Sequence, residues 1–243
     1  MKRWLASLAF AATAFAQEKK EEPPSVLALS PLHLTAGEKG TLHLRGQKLK
    51  DATEARVTPD AAATLKEKKD ATVPNGLEAK DVGNTEVAIE LTPPADCTKL
   101  AVLIVTPTGM PEVREVPVFP RDAFTAEKEP NNGFREAQTW DTAKPRTGKI
   151  DGDKDVDVFR ITGVAGKPLN VRIVAASVGS LLDPILAIFD AEGRLLASAD
   201  DTDGTRDARL SIVPKTDGAF LLVVSDAHDR GGSWHEYRLE VSP

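Results

Sequence analysis

Cys97 is the only cysteine in 243 residues. No disulfide can close within the chain, so the fold has to be held by apolar cores, hydrogen bonds or metal. The stretch around it, PPADCTK, offers no histidine or other base to activate a thiolate, and a small residue at a loop edge is the plainer reading of Cys97. Aromatic residues amount to 5% of the chain, so the cores are expected to be aliphatic. The interleaved basic and aromatic residues that stack on nucleobases are missing. Positive charge is also short, with 31 Lys and Arg against 37 Asp and Glu for a net −6. A chain of that sign is poorly suited to phosphate backbones or anionic lipid, which argues against nucleic acid and membrane surfaces as main partners. The four histidines, His33, His43, His228 and His235, form no H-E-x-x-H, and neither a G-x-S-x-G elbow nor a Gly-rich phosphate loop is present. The usual sequence signatures of zinc proteases, serine hydrolases and nucleotide enzymes are therefore lacking.

The first sixteen residues, MKRWLASLAFAATAFA, combine a basic start at Lys2 and Arg3, an apolar middle and an Ala14-Phe15-Ala16 cleavage pattern. This is the form of a secretory signal peptide, expected over 1–16, and it implies export to the periplasm or beyond. The apolar middle falls short of the roughly 20 residues a helix needs to cross a bilayer, and no other stretch does better. Losing Lys2 and Arg3 takes the net charge from −6 to −8. Residues 17–24, QEKKEEPP, read as a disordered leader.

Strand signals follow. SVLALSP, LTAGEKGTLHLRGQKL, ATEARVTP, NTEVAIELTPP, KLAVLIVTPTG and VREVPVFP are short apolar or alternating runs, each ended by Gly, Pro, Asn or Asp. In the second of these, Leu42 and Leu44 fall on one face. Such spacing predicts an antiparallel sandwich over 25–120. Residues 61–81 are rich in Lys and Ala and are expected to be a loop or strand-poor insertion. Residues 121–145 contain an Asn-Asn-Gly turn signal, with one helical turn expected over 134–138, and form the expected linker. From 146 to 243 seven further strands are predicted, at DVFRITG, LNVRIVAAS, DPILAIFD, RLLASAD, RLSIVP, AFLLVVSD and EYRLEVS, with glycines in the turns. The fold class is all-β: two β-sandwich modules in tandem.

Acids crowd one place. In GKIDGDKDVDVFRI, Asp151, Asp153, Asp155 and Asp157 occupy alternate positions. In an extended chain all four would point to one side, neighbours about 6–7 Å apart. Like charges that close need a cation, a base or water to screen them. An EF-hand is excluded, because Val156 stands where the loop needs Gly and Thr162 where it needs Glu. The bland alternative is a solvated acidic loop screened by Lys128, Lys149 and Lys154. A second acidic run, DDTDG at 200–204, reads as a hairpin turn, with a weak second ion site as its alternative. SDAHD at 225–229 brings Ser, Asp and His together in sequence, but triads draw on distant segments, and a surface loop is expected. Trp234 and Tyr237 flank the last strand, as either a binding patch or packing residues.

The order of motifs over 127–241, namely EKEPNN, G-x-I, D-x-D-V-F, LDPILAIFDAEGRLLASADD, DGAFLLVVSD and EYRLEV, resembles the bacterial pre-peptidase C-terminal domain family. That family is similar to the collagen-binding modules of secreted collagenases. The resemblance implies a non-catalytic, jelly-roll-like sandwich, often appended to exported proteins. In its calcium-binding members an acidic linker and an acidic loop share the ion. By position, Glu127, Glu129 and Asn131 match the linker ligands and Asn132 a position that is often an acid. Asp155 and Asp157 match the acids before the strand, with Asp153 adjacent. The resemblance and the residues agree on calcium as the cofactor: the donors are all oxygens, with no His or Cys beside them. More loosely, SPLHLTAGEKGTLHLRGQKL and VTPTG resemble immunoglobulin-like domains of the IPT/TIG type, which implies a spacer or interaction module for 25–120. The expected role is non-catalytic binding of an extracellular or cell-envelope protein or polymer, without nucleic acid or a membrane span. The alternatives are a secreted hydrolase using surface carboxylates and a passive spacer.

Overall fold

The computed structural model describes residues 23–242. The expected signal peptide and all but the end of the expected leader lie outside the described residues. Eight strands form the first half: β1 (Ser25–Ser30), β2 (Leu34–Thr35), β3 (Gly40–Gln47), β4 (Glu54–Thr58), β5 (Ala63–Asp70), β6 (Thr85–Leu91), β7 (Lys99–Val105) and β8 (Arg114–Phe119). They build two four-stranded sheets, in the orders β1-β3-β6-β5 and β2-β8-β7-β4. Between the sheets lies an aliphatic core that includes Leu42, Leu44, Ile89, Leu100 and Ile104. The alternation at Leu42 and Leu44 points into this core, as the sequence predicts.

The second half carries β9 (Thr125–Ala126), β10 (Gln138–Thr139), β11 (Arg146–Lys149), β12 (Val156–Gly163), β13 (Leu169–Val174), β14 (Pro184–Phe189), β15 (Leu195–Ala199), β16 (Arg209–Ile212), β17 (Gly218–Asp226) and β18 (Glu236–Ser242). Its sheets run β10-β12-β17-β14-β15 and β16-β13-β18-β11-β9. They enclose a separate core of Trp140, Phe159, Ile161, Val171, Ile173, Leu222, Tyr237 and Leu239, among others. Among the described residues the class is all-β, with one helical turn at Ala79–Val82 and a 3-10 turn at Ala176–Val178.

Three local expectations are corrected. Residues 61–81 are not strand-poor, because β5 lies there. Only Ala63 and Leu65 of β5 reach the core; a bulge follows Leu65, and Lys66, Glu67, Lys68 and Lys69 line an exposed sheet edge. Charge of this kind blocks edge-to-edge pairing and also erases the apolar period that marks a strand. The expected helical turn at 134–138 is a turn closed by Glu136 N–H donating to Gly133 O, followed by β10. The run 151–157 is not extended throughout. Residues 152–154 turn, Lys154 takes φ 66°, and β12 begins only at Val156, so the four acids do not share one face.

The halves touch along one seam. Ser30 Oγ donates to Glu236 Oε1 at 2.5 Å and Leu32 N–H to Glu236 Oε2 at 3.1 Å. Leu29 N–H donates to Gly179 O at 2.9 Å. Arg45 lies over the Trp234 ring, and Arg238 lies over Phe119 and Phe124.

Candidate metal centre

On β12 the residues Asp157, Phe159 and Ile161 share the inward face. Two of them fill the core, and the third sets a carboxylate at its rim with no exposed surface. Tyr237, the chain's only tyrosine, comes from β18 on the opposite sheet and is buried beside it. Its hydroxyl lies 2.6 Å from Asp157 Oδ2 and 2.8 Å from Glu127 Oε2. A tyrosine brings one hydrogen, so it can donate to only one of the two carboxylates. The other contact needs either a proton on an acid or a cation that draws the oxygens together.

Glu127 is positioned by the β9–β11 ladder. Its N–H donates to Thr147 O at 2.9 Å, and its Oε1 accepts from Lys149 N–H. The side chain can cross to Tyr237 because residue 148 is Gly. A Cβ there would lie 2.3 Å from the tyrosine ring and 2.5 Å from Glu127 Oε2. Glu129, two residues on, is exposed and accepts Asn131 N–H at 3.0 Å. One carboxylate oxygen from each of Glu127, Glu129 and Asp157 lies within 4.8 Å of the others.

Asn131 sits fully buried among them, its backbone O accepting from Val158 N–H at 2.9 Å. Its carboxamide fits in two ways, and an amide's orientation is assigned by its partners. With Nδ2 toward Glu127 Oε2 at 3.4 Å, Oδ1 faces acceptors alone: Asp157 Oδ1 at 2.9 Å and the Glu129 oxygens at 3.2 and 3.3 Å. Turned over, Nδ2 donates to those same oxygens. The first orientation is that of a cation cage. Oxygens held about 2.4 Å from a common ion lie roughly 3 Å from each other. The second is that of the cluster without a cation. Either way the donors are hard oxygens, the set that calcium takes.

Charge balance points the same way. Among the described residues no Lys or Arg makes an ion pair with Glu127, Glu129 or Asp157, since Lys149 pairs with Asp151 at 2.6 Å. Arg146 is buried over the Trp140 and Phe159 rings and attracts Glu127 at longer range. Burial first, and then the charge of Glu127, push Asp157 up to about 9. Burial likewise raises Glu127, and burial followed by the two carboxylates raises Tyr237 well above its ordinary value.

The remaining sequence candidates lie around this cluster. Asp155 is occupied by the backbone, accepting Asp151 N–H at 2.7 Å and Val156 N–H at 2.9 Å. Asn132 Oδ1 accepts Asn131 N–H at 3.1 Å. With Asp153, Asp151 and Glu129 they line a shallow cleft of about 490 Å³ next to the cage. Gly148 and Tyr237 were not singled out as parts of the site by sequence reasoning. The G-x-I motif and the uniqueness of the tyrosine were the available signals.

Elsewhere, Asp200 and Asp201 of the second acidic run approach Asp183, with one oxygen of each within 4.8 Å. The hairpin reading of this run holds through the Thr202–Thr205 bridge. In the 225–229 stretch Asp226 accepts backbone N–H groups of Asp183, His228 and Arg230, which is the hydrogen-bonding of a structural loop.

Among known proteins, no family model matches the chain. It is 31% identical over 113 residues to a probable subtilase-type serine protease of Deinococcus radiodurans, a stretch covering 46% of this chain and 14% of that protein. The chain thus spans about a seventh of the length of this curated relative. Among solved structures it is similar to the pre-peptidase C-terminal domain of a Bacillus anthracis collagenase, at 13% identity and TM-score 0.37, over 48% of this chain and all of that one. SGBP-B from a complex xyloglucan utilization locus in Bacteroides uniformis aligns at 15% identity and TM-score 0.27, over 90% of this chain and 71% of that one.

Proposed function

We propose that this chain is an exported, non-catalytic accessory protein of two β-sandwich modules, 25–120 and 146–243, joined through 121–145. In this reading calcium locks the second module, and the protein engages an extracellular or cell-envelope protein or polymer. One observation carries the metal reading: Glu127, Glu129 and Asp157 converge on the buried Asn131 carboxamide without a paired base. Glu127, Glu129, Asn131 and Asp157 would hold the ion directly. Asn132, Asp153 and Asp155 would shape its approach and, through water, its outer sphere. An ion here ties the segment ahead of the sandwich (Glu127, Glu129, Asn131) to β12 and, through Tyr237, to β18. It also takes the place of the proton that the buried acids otherwise keep.

The accessory reading is supported by the match to a small fraction of a larger protease and by the placement of the perturbed acids. A hydrolase would need Glu127 and Asp157 to meet substrate, yet Asp157 has no exposed surface and shares the tyrosine hydroxyl with Glu127. The test is a thermal melt of the mature protein across a calcium titration. The melting temperature is expected to rise with log calcium concentration and to fall back on chelation, and Asp157→Asn is expected to abolish the response. A flat titration in the native protein would remove calcium from this account.

A further inference from the structure

Where the halves meet, a groove of about 400 Å³ runs between the Ser30–His33 corner and the outer face of β18 and β11. Its walls include Pro31, Leu32, Ala126, Thr147, Glu236 and Arg238. Most of its charged groups are already engaged. Glu236 accepts from Ser30 and Leu32, Lys149 pairs with Asp151, and Glu127 is held by Lys149 N–H and Tyr237. Arg238 is different. It is 6% exposed and packs on Phe119 and Phe124 at 5.2 and 5.9 Å, and among the described residues its side chain makes no hydrogen bond or ion pair. Its Nε is sealed without a partner, and Arg238 is one of the residues lining the groove. A desolvated guanidinium that pairs with no acid of its own chain matches one chemistry above others, that of a carboxylate.

We propose that this groove binds the free carboxylate of a short peptide, with Arg238 as the anchor. The walls next to it favour a peptide over an acidic sugar. Pro31, half-buried, and Ala126, exposed, offer small apolar surface suited to a side chain or a Cα trace. A pyranose would call for an open aromatic face, and the rings here are committed: Tyr237 is buried in the core, and His33, Phe119 and Phe124 pack on each other at 4.6–5.7 Å. The proposal does not depend on a cation in the neighbouring cage.

The experiment is an NMR titration of the full chain, in millimolar calcium, with three probes: acetyl-dialanine bearing a free carboxylate, its C-terminal amide, and digalacturonate. The free acid is expected to shift groove resonances with saturation below about 20 mM, and the amide to bind about tenfold more weakly or not at all. Thr147 stands directly opposite Arg238 in the β11–β18 register, so Thr147→Glu supplies an internal carboxylate on the same face. That variant is expected to melt higher than the native protein and to lose the peptide. Arg238→Gln is expected to lose the peptide while its calcium response persists, which separates this site from the cage. Equal binding of acid and amide, binding of digalacturonate in place of the peptide, no shifts with any probe, or retained binding in Thr147→Glu would each overturn the proposal.

Discussion

Without a cation, the protein is expected to lose stability as pH rises from about 5 to about 8, and calcium is expected to cancel that loss. The sign follows from Asp157. Burial and the neighbouring Glu127 hold its carboxyl up to about 9, whereas in an unfolded chain an aspartate ionises near 4. Across the window the native state therefore keeps a proton that the unfolded state has released, and stability falls with pH. One proton over that range amounts to about 4 kcal/mol, or a melting temperature lower by about 8–16 °C for a chain of this size. A bound divalent ion displaces the proton and compensates the carboxylates, so the calcium-loaded profile should be nearly flat and the gain from calcium largest at the alkaline end. The assay is calorimetry on metal-free and calcium-saturated protein at unit pH steps, with Asp157→Asn as the control that removes the titrating group. A metal-free melting temperature that holds steady or climbs across the window would refute the reasoning. A calcium gain of equal size at both ends would refute it too.

Gly148→Ala puts a methyl group against the tyrosine ring and the Glu127 carboxylate; overpacking here should cost about 1–3 kcal/mol in urea unfolding and weaken the calcium response. His33 is held down to about 4 by burial first and Arg238 second, so it folds neutral and its contribution is lost as pH drops from about 6.5 toward 4. In calcium-loaded protein, His33→Phe should remove on the order of 1–2 kcal/mol of acid sensitivity, a figure reduced for partial exposure; an unchanged acid limb would refute this. Glu236→Ala leaves the Ser30 hydroxyl and the Leu32 N–H without an acceptor. It is expected to cost about 1–3 kcal/mol and to lengthen the particle in small-angle scattering, while native dimensions and stability would refute the role of this contact.

Strands with a clean period were legible from sequence. In LNVRIV, Leu169, Val171 and Ile173 alternate with polar residues and face the core, and all seven runs read after residue 146 are strands. What escaped has physical causes. β5 hides its strand character under five consecutive charges because it is an edge, and β9 and β10 are too short for any period to register. The acids at 151–157 carried the right chemistry but not the right geometry. Alternation assumed one extended run, whereas the chain turns at 152–154, and Asp157 alone points inward to meet Glu127 and Glu129. Its hydrogen-bond partner Tyr237 lies 80 positions away, and the Ser30–Glu236 contact spans 206. Contacts at that range follow from how the sheets stack, which no local pattern encodes.

Glu236, Tyr237 and Arg238 are consecutive, yet they serve opposite sides of β18: the first and third reach toward the leading half of the chain, and the second toward the acids. Inserting or deleting a single residue here would not simply fray the strand. It would trade the two sides, sending a phenol outward and a charged side chain into the interior. Homologues that keep both contacts should therefore vary in length in the surrounding loops, such as the hairpin at 200–204, and within this strand only by pairs of residues.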